Sequence, residues 1–231
     1  DVEEIDPLSV PAYGAFVARL RAAVVAASAK GTVTATTGAG PGGAALAAAA
    51  SIAGADRIFL MGYDYRTVAS APGSTAPLAR RDGDERTVPW SLELYAASGV
   101  PVERTILGLP LYGLAWPVSA PDLGGAATGS GAIWVPRQNR AALENAAAVP
   151  GFDSTEVAAV LFVPGGSAWT AIYYETPTSL EPKLALADDR GLAGAGLWAL
   201  GYERGLPGYT ELISRFGAGR LAASPAASPA P

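Results

Sequence analysis

The chain has 231 residues, half of them hydrophobic, which suffices for one large domain or two small ones around a substantial core. Sixteen basic against 21 acidic residues leave a net charge of −5 and no basic stripe, so neither nucleic acid nor an anionic membrane is an expected partner. The absence of His and Cys excludes Ser-His-Asp and Cys-His nucleophiles, imidazole and thiolate metal sites and disulfides, leaving hydrolytic chemistry to carboxylates, Tyr, Ser or the substrate itself.

Asp1 and Glu3 open the chain two residues apart, a spacing that on a strand projects both carboxylates from one face. Ser9-Val10-Pro11 begins an amphipathic helix bearing Tyr13, Phe16, Val17 and Leu20. An acidic entry that only solvates this helix accounts for the same letters. Thr32–Thr37 reads as a strand, 38–43 as a Gly-rich loop and Ala44–Ala53 as a helix. Arg57–Tyr63 is a continuously apolar strand, the pattern of one covered on both faces, and Met61-Gly62-Tyr63-Asp64-Tyr65 stands at its C-terminal end. Trp90–Ser98 is helical with Gly99 as a stop, and Arg104–Tyr112 is a third strand ending in Gly-Leu-Pro and an aromatic. The stretch from Trp116 to Tyr174 breaks the alternation. It has Gly-rich turns, a short helix near Gln138–Ala147 and strand-like pieces at Val160–Val163 and Ala171–Tyr174, which together suggest a small α+β insertion. Leu180–Asp189 is helical, Ala193–Leu200 is a fourth strand ending in Trp198, and the final Pro/Ala/Ser run is expected to be a disordered tail. Strands alternating with helices point to parallel βαβ units. No apolar run approaches the ~20 residues of a membrane span. A chain that opens without Met is uninformative about a leader.

Four motifs in this order resemble glycoside hydrolase family 18, chitinase-like enzymes on a (β/α)₈ barrel. Asp1-Val2-Glu3 resembles the close of the acidic motif on the family's fourth strand. Met61-Gly62-Tyr63-Asp64 is similar to its sixth-strand motif, and Gly108-Leu109-Pro110-Leu111-Tyr112-Gly113 to its seventh. Gly194 to Trp198 matches its eighth. The resemblance covers about residues 1–216, with one departure: Leu114 stands where many members carry Arg. Such barrels run to ~250 residues or more, and the first three strands have no counterpart here, so a partial barrel is implied. The implied layout is barrel units over 1–115 (end of strand four to strand seven), an α+β insertion over 116–174, the last unit over 175–218 and the tail over 219–231.

The resemblance also implies a chemistry: substrate-assisted, retaining hydrolysis of N-acetylglucosamine-containing polysaccharide, without metal or cofactor. Glu3 would be the general acid and then the base, and Asp1 would orient the N-acetyl group. Tyr63 would hydrogen-bond its carbonyl, Asp64 would hold the same sugar, and Trp198 would form the floor. Met61, Tyr65, Tyr112 and Trp116 are expected to line the sugar site. A neutral Glu3 needs a raised pKa, which a neighbouring carboxylate and apolar surroundings supply. Secretion or attachment to the cell envelope, and a monomer, are expected.

Two alternatives stand beside this reading. A catalytically silent glycan-binding protein on the same fold typically lacks the acid, and Glu3 is present. Gly38, Gly40 and Gly43 also spell G-x-G-x-x-G between a strand and a helix, the context of dinucleotide binding. Against that, Pro41 sits where backbone N–H groups should face a pyrophosphate, and Asp64 lies further on than the usual ~20 residues.

Overall fold

The computed structural model describes residues 1–3, 5–219 and 221. Helix α1 (Val10–Ala27) leads to strand β1 (Thr34–Gly38), helix α2 (Pro41–Ile52), strand β2 (Arg57–Met61), helix α3 (Val88–Ala97) and strand β3 (Thr105–Pro110). Strands β4 (Gly113–Val118) and β5 (Ala132–Trp134), the single-turn helix α4 (Arg140–Leu143) and strands β6 (Val149–Asp153), β7 (Ala158–Gly165) and β8 (Ala168–Tyr174) follow. Helix α5 (Pro177–Asp189), strand β9 (Gly194–Trp198) and helix α6 (Tyr209–Gly217) complete the order.

Two sheets result. The first runs β1-β2-β3-β9 with every pair parallel. The second is antiparallel in the order β5-β4-β8-β7-β6 and lies in the chain between β3 and α5. The architecture is therefore a partial (β/α)₈ barrel with an α+β insertion before its last strand.

Alternation along the strands decides what each face does. In β2, Ile58 and Leu60 are fully buried beneath the helices with Ala47 and Ala50 of α2, whereas Phe59 and Met61 point inward and stay half-buried. The inward face is shaped by glycine. A Cβ on Gly108 would lie 2.3 Å from Phe59 Cε1 and 2.8 Å from the Leu60 carbonyl oxygen, and one on Gly196 would lie 2.5 Å from Phe59 Cε2. The Phe59 ring thus lies across β3 and β9, in space left by two missing side chains.

Several boundaries differ from the sequence reading. The second sheet begins at Gly113 rather than 116, because β4 pairs with β8 from Leu114↔Tyr173 onward and a Cβ on Gly113 would lie 2.2 Å from the Tyr173 carbonyl oxygen. The helix expected over Gln138–Ala147 is a 3-10 turn, Pro136–Asn139, followed by α4. The short pieces expected at Val160–Val163 and Ala171–Tyr174 belong to a long hairpin, β7–β8. In α1 only Tyr13 and Val17 are buried, while Phe16 and Leu20 are 44% and 39% exposed. The helix is 18 residues long with mean hydropathy 1.3, long and apolar enough by length and composition to cross a membrane, where the sequence reading expected no run approaching such a span. Its Arg21 pairs with Asp56 at 2.9 Å, and a Cβ on Gly14 would lie 3.6 Å from Ala49 Cβ of α2, so the helix packs closely on the fold. Of the tail expected over 219–231, Leu221 packs against the main core, and Arg220 and 222–231 lie outside the described residues.

The glycine constraint is directly testable. Gly108→Ala should destabilise the protein by about 1–3 kcal/mol through overpacking, and Phe59→Leu in the same chain should recover part of the loss. Chemical denaturation measures both; a Gly108→Ala variant as stable as wild type would refute the steric account.

Candidate active site

A cavity of ≈ 740 Å³ opens at the C-terminal ends of the parallel strands, within the ~300–1,000 Å³ range of ligand sites and on the face where such barrels carry chemistry. Each of the four strands delivers to it. Gly38, Met61 and Trp198 are the last residues of β1, β2 and β9, and Tyr112 follows β3 by two residues. Thr36 and Phe59 line it from one turn of the pleat deeper.

Tyr63, Asp64 and Tyr112 form its polar corner. Asp64 adopts a left-handed backbone, φ 62°, which a non-glycine residue holds only when its surroundings compel it. Its N–H donates to Thr75 Oγ1 at 3.0 Å, and its carboxylate accepts from the Tyr112 hydroxyl. The Tyr63 and Tyr112 rings meet edge-to-face with centroids 6.0 Å apart. Burial, then the charges of Asp64 and Glu3, push the Tyr63 phenol up to about 12. Burial, followed by the bond to Asp64, raises Tyr112 as well. Both phenols are therefore protonated donors at any neutral pH.

Asp1 and Glu3 also line the cavity, although residues 1–3 form no strand. Ile5 packs against the main core and anchors the segment beside the opening. Both carboxylates are exposed, so the apolar enclosure expected around Glu3 is not supplied by the described residues. Met61 and Trp198 line the same space, Trp198 with 54% of its surface exposed.

Two expected sugar contacts are placed elsewhere. Trp116 is fully buried in the core of the second sheet, edge-to-face with Tyr173 at 6.2 Å. Alternation along β4 turns Leu114, Trp116 and Val118 toward that core, so Leu114 too lies away from the cavity. Tyr65 points into the barrel wall, where its hydroxyl donates to Ser91 Oγ at 2.6 Å; Ser91 in turn donates to the Ala39 carbonyl at 2.7 Å. With the Tyr95 hydroxyl on the Gly38 carbonyl at 2.6 Å, this chain fixes the loop Gly38–Gly40 along the cavity rim.

The same loop answers the G-x-G-x-x-G alternative. A Cβ on Gly43 would lie 1.8 Å from the Gly38 carbonyl oxygen, so that glycine serves the packing of α2 on β1, a need that both readings share; the charge of the lining separates them. The described residues lining the cavity include Asp1, Glu3 and Asp64 but no Lys or Arg. A doubly charged pyrophosphate would meet three carboxylates there and no lysine or arginine to offset them. The lining instead offers carboxylates and phenols as hydrogen-bonding groups and Phe59, Leu197 and Trp198 as apolar surface.

The sequence reading missed Thr36, Phe59, Ile133, Leu197 and Tyr202 as lining residues. Thr36 and Phe59 were accessible by stepping back two residues from Gly38 and Met61. Ile133 left no such signal, because it reaches the cavity only through the pairing of β5 with β4 at Leu114↔Ile133.

Comparison with known proteins adds a lineage. The family model Glycosyl hydrolases family 18 matches residues 7–203, a span that begins after Asp1 and Glu3. Chitinase 63 of Streptomyces plicatus is 28% identical over 148 residues, which cover 60% of this chain and 23% of that protein. Among solved structures, a chitinase-like agglutinin from Robinia pseudoacacia superposes with TM-score 0.74 at 24% identity, over 91% of this chain and 64% of that one. A variant of a class V chitinase from Nicotiana tobaccum in complex with NAG4 gives TM-score 0.74 at 21% identity, over 95% and 66% of the two chains. The chain thus spans less than two thirds of the curated relative's length, and about two thirds of these structures.

Because the folded-state pKa of Tyr63 lies above its value of about 10 in an unfolded chain, its contribution to stability is complete below pH 10 and is lost as pH rises toward 12. The 295 nm titration difference between wild type and Tyr63→Phe should accordingly centre near 12. A difference centred near 10 would show that Tyr63 is not buried against the carboxylates.

Proposed function

The chain belongs to the glycosyl hydrolases of family 18, and from that premise we propose that it cleaves β-1,4-linked N-acetylglucosamine-containing glycans, chitin or peptidoglycan, by substrate-assisted retaining hydrolysis. The observation that carries this reading is the meeting of Tyr63, Asp64, Tyr112 and Trp198 with Asp1 and Glu3 in one cavity at the strand ends.

Glu3 protonates the glycosidic oxygen. The carbonyl oxygen of the substrate's own N-acetyl group attacks the anomeric carbon, and the bond to the leaving sugar breaks, giving an oxazolinium intermediate. Asp1 orients the acetamido group and balances its developing positive charge. Tyr63, kept protonated by its surroundings, donates to the acetamido oxygen, and Asp64, braced by Tyr112, holds hydroxyls of the same sugar. The exposed face of Trp198 forms the floor. Glu3, now a carboxylate, takes a proton from the incoming water, which opens the intermediate with net retention. The scheme needs neither His nor Cys, and the chain has neither. Chitin and peptidoglycan lie outside the cell membrane, so the protein would act as a secreted or envelope-associated enzyme.

A second reading, glycan binding without cleavage, is favoured by the likeness to the Robinia agglutinin. The acid separates the two. In the full-length protein, Glu3→Gln should lower cleavage of an N-acetylglucosamine oligomer by roughly 10²–10⁴-fold while leaving binding largely intact. Asp1→Asn should also slow the reaction, and Tyr63→Phe should cost less, about 1–3 kcal/mol. A substrate lacking the N-acetyl group on the cleaved sugar should be almost inert. Equal hydrolysis of that substrate would overturn the substrate-assisted step, and tight binding with no turnover by wild type would establish the lectin reading.

A further inference from the structure

The loop between β2 and α3 carries Asp64, yet the groups that hold it come from the insertion. Glu156, in the turn between β6 and β7, is 1% exposed. A carboxylate so far from water must be surrounded by donors, and here all of them belong to that loop. Glu156 Oε1 accepts from Arg66 Nη2 and from the Arg81 N–H at 3.2 Å; Oε2 accepts from Arg66 Nε at 3.4 Å and from the Ser74 N–H at 2.7 Å. A Cβ on Gly73 would lie 2.0 Å from Arg66 Nε and 2.6 Å from Glu156 Oε2, so the chain is bare where the pair passes. Asp153, also buried, adds its own bonds to the Arg81 side chain at 2.7 and 3.0 Å and caps the N–H of Glu156 at 3.1 Å.

From Ser74 the constraint passes to the cavity in one residue. Thr75 Oγ1 accepts from the Asp64 N–H and lies 3.4 Å from Asp64 Oδ1, and the Thr75 carbonyl accepts from the Tyr65 N–H at 3.1 Å. Thr75 thus grips both amides that define the left-handed turn at Asp64. Neither Glu156 nor Arg66 lines the cavity.

We propose that Glu156 is a positioning residue for Asp64: by fixing Ser74-Thr75 it sets the turn that aims the Asp64 carboxylate, making the insertion sheet part of the cleft's geometry. This rests on the reading of Asp64 as a group that holds the sugar.

The test is a double-mutant cycle in the full-length protein, with kcat and KM on an N-acetylglucosamine oligomer measured well below each variant's Tm. Glu156→Gln should lower kcat by about ten- to a hundredfold, the scale of a small misplacement at a reacting centre, with KM much less affected. In an Asp64→Asn background the same substitution should cost almost nothing more, because its effect passes through Asp64. Thr75→Val, which removes the hydroxyl that grips Asp64, should reproduce the kcat loss and carries the same comparison if Glu156→Gln does not fold. Wild-type kcat in Glu156→Gln or in Thr75→Val, or losses that multiply in full in the double variant, would overturn the positioning role alone. Full activity in Asp64→Asn would overturn the assignment of Asp64 and the positioning role together.

Discussion

The Phe59 ring, laid across Gly108 and Gly196, governs how β2, β3 and β9 come together. A side chain on either glycine would lift the ring or part the strands, and the strand ends would no longer converge on one opening. With the ring seated, Met61, Tyr112 and Trp198 arrive at the same cavity from three different strands. A single aromatic on the inner face therefore links core packing to the placement of the site. Of the glycines within the family-like motifs, Gly108 and Gly196 serve this close approach, while Tyr63, Asp64 and Tyr112 face the cavity.

Buried charge does the corresponding work at the insertion. Arg66–Glu156 and Lys183–Glu175 are both almost wholly enclosed. Glu156 lies in one turn of the insertion, and Glu175 lies where the insertion returns to the barrel, accepting also from Ser179 Oγ at 2.6 Å. Burial pulls the Lys183 pKa down, while its bond to Glu175 opposes that. Pairs of this kind add little net stability over apolar substitutes, but each tolerates only one arrangement, because a displaced partner leaves a charge without solvation. At the two junctions that specificity is of use: it defines how a separate sheet sits on the barrel beside the cleft.

The cavity's own electrostatics narrow its ligands. Carboxylates from the chain's opening and from the β2–α3 loop face it, with no cation from the described lining residues. Burial first, and then these carboxylates, raise the Tyr63 and Tyr112 phenols, which remain protonated donors. A site so lined disfavours phosphates and fits the neutral sugar substrate proposed above.

Local letters determined much of this. The parallel alternation was legible because β1, β2, β3 and β9 are short apolar runs separated by helical periodicity, and Tyr63, Asp64, Tyr112 and Trp198 were legible because they close those runs in family-like motifs. The insertion was legible as a break in that alternation, but β5 and β6 were not. They are short edge strands, and Pro150 and Gly151 in β6 read as a turn. Only the tertiary structure decided which aromatics serve the cavity. Trp116 and Trp198 look alike in sequence, yet pairing with β8 turns one into a closed core while the other ends an inward strand. Likewise Tyr65 differs from Tyr63 only by the left-handed turn at Asp64 between them, and that turn is held by groups some ten to ninety residues away, Thr75 and Glu156. Long-range hydrogen bonds and strand register choose a side chain's direction, and neither leaves a mark on the residues nearby.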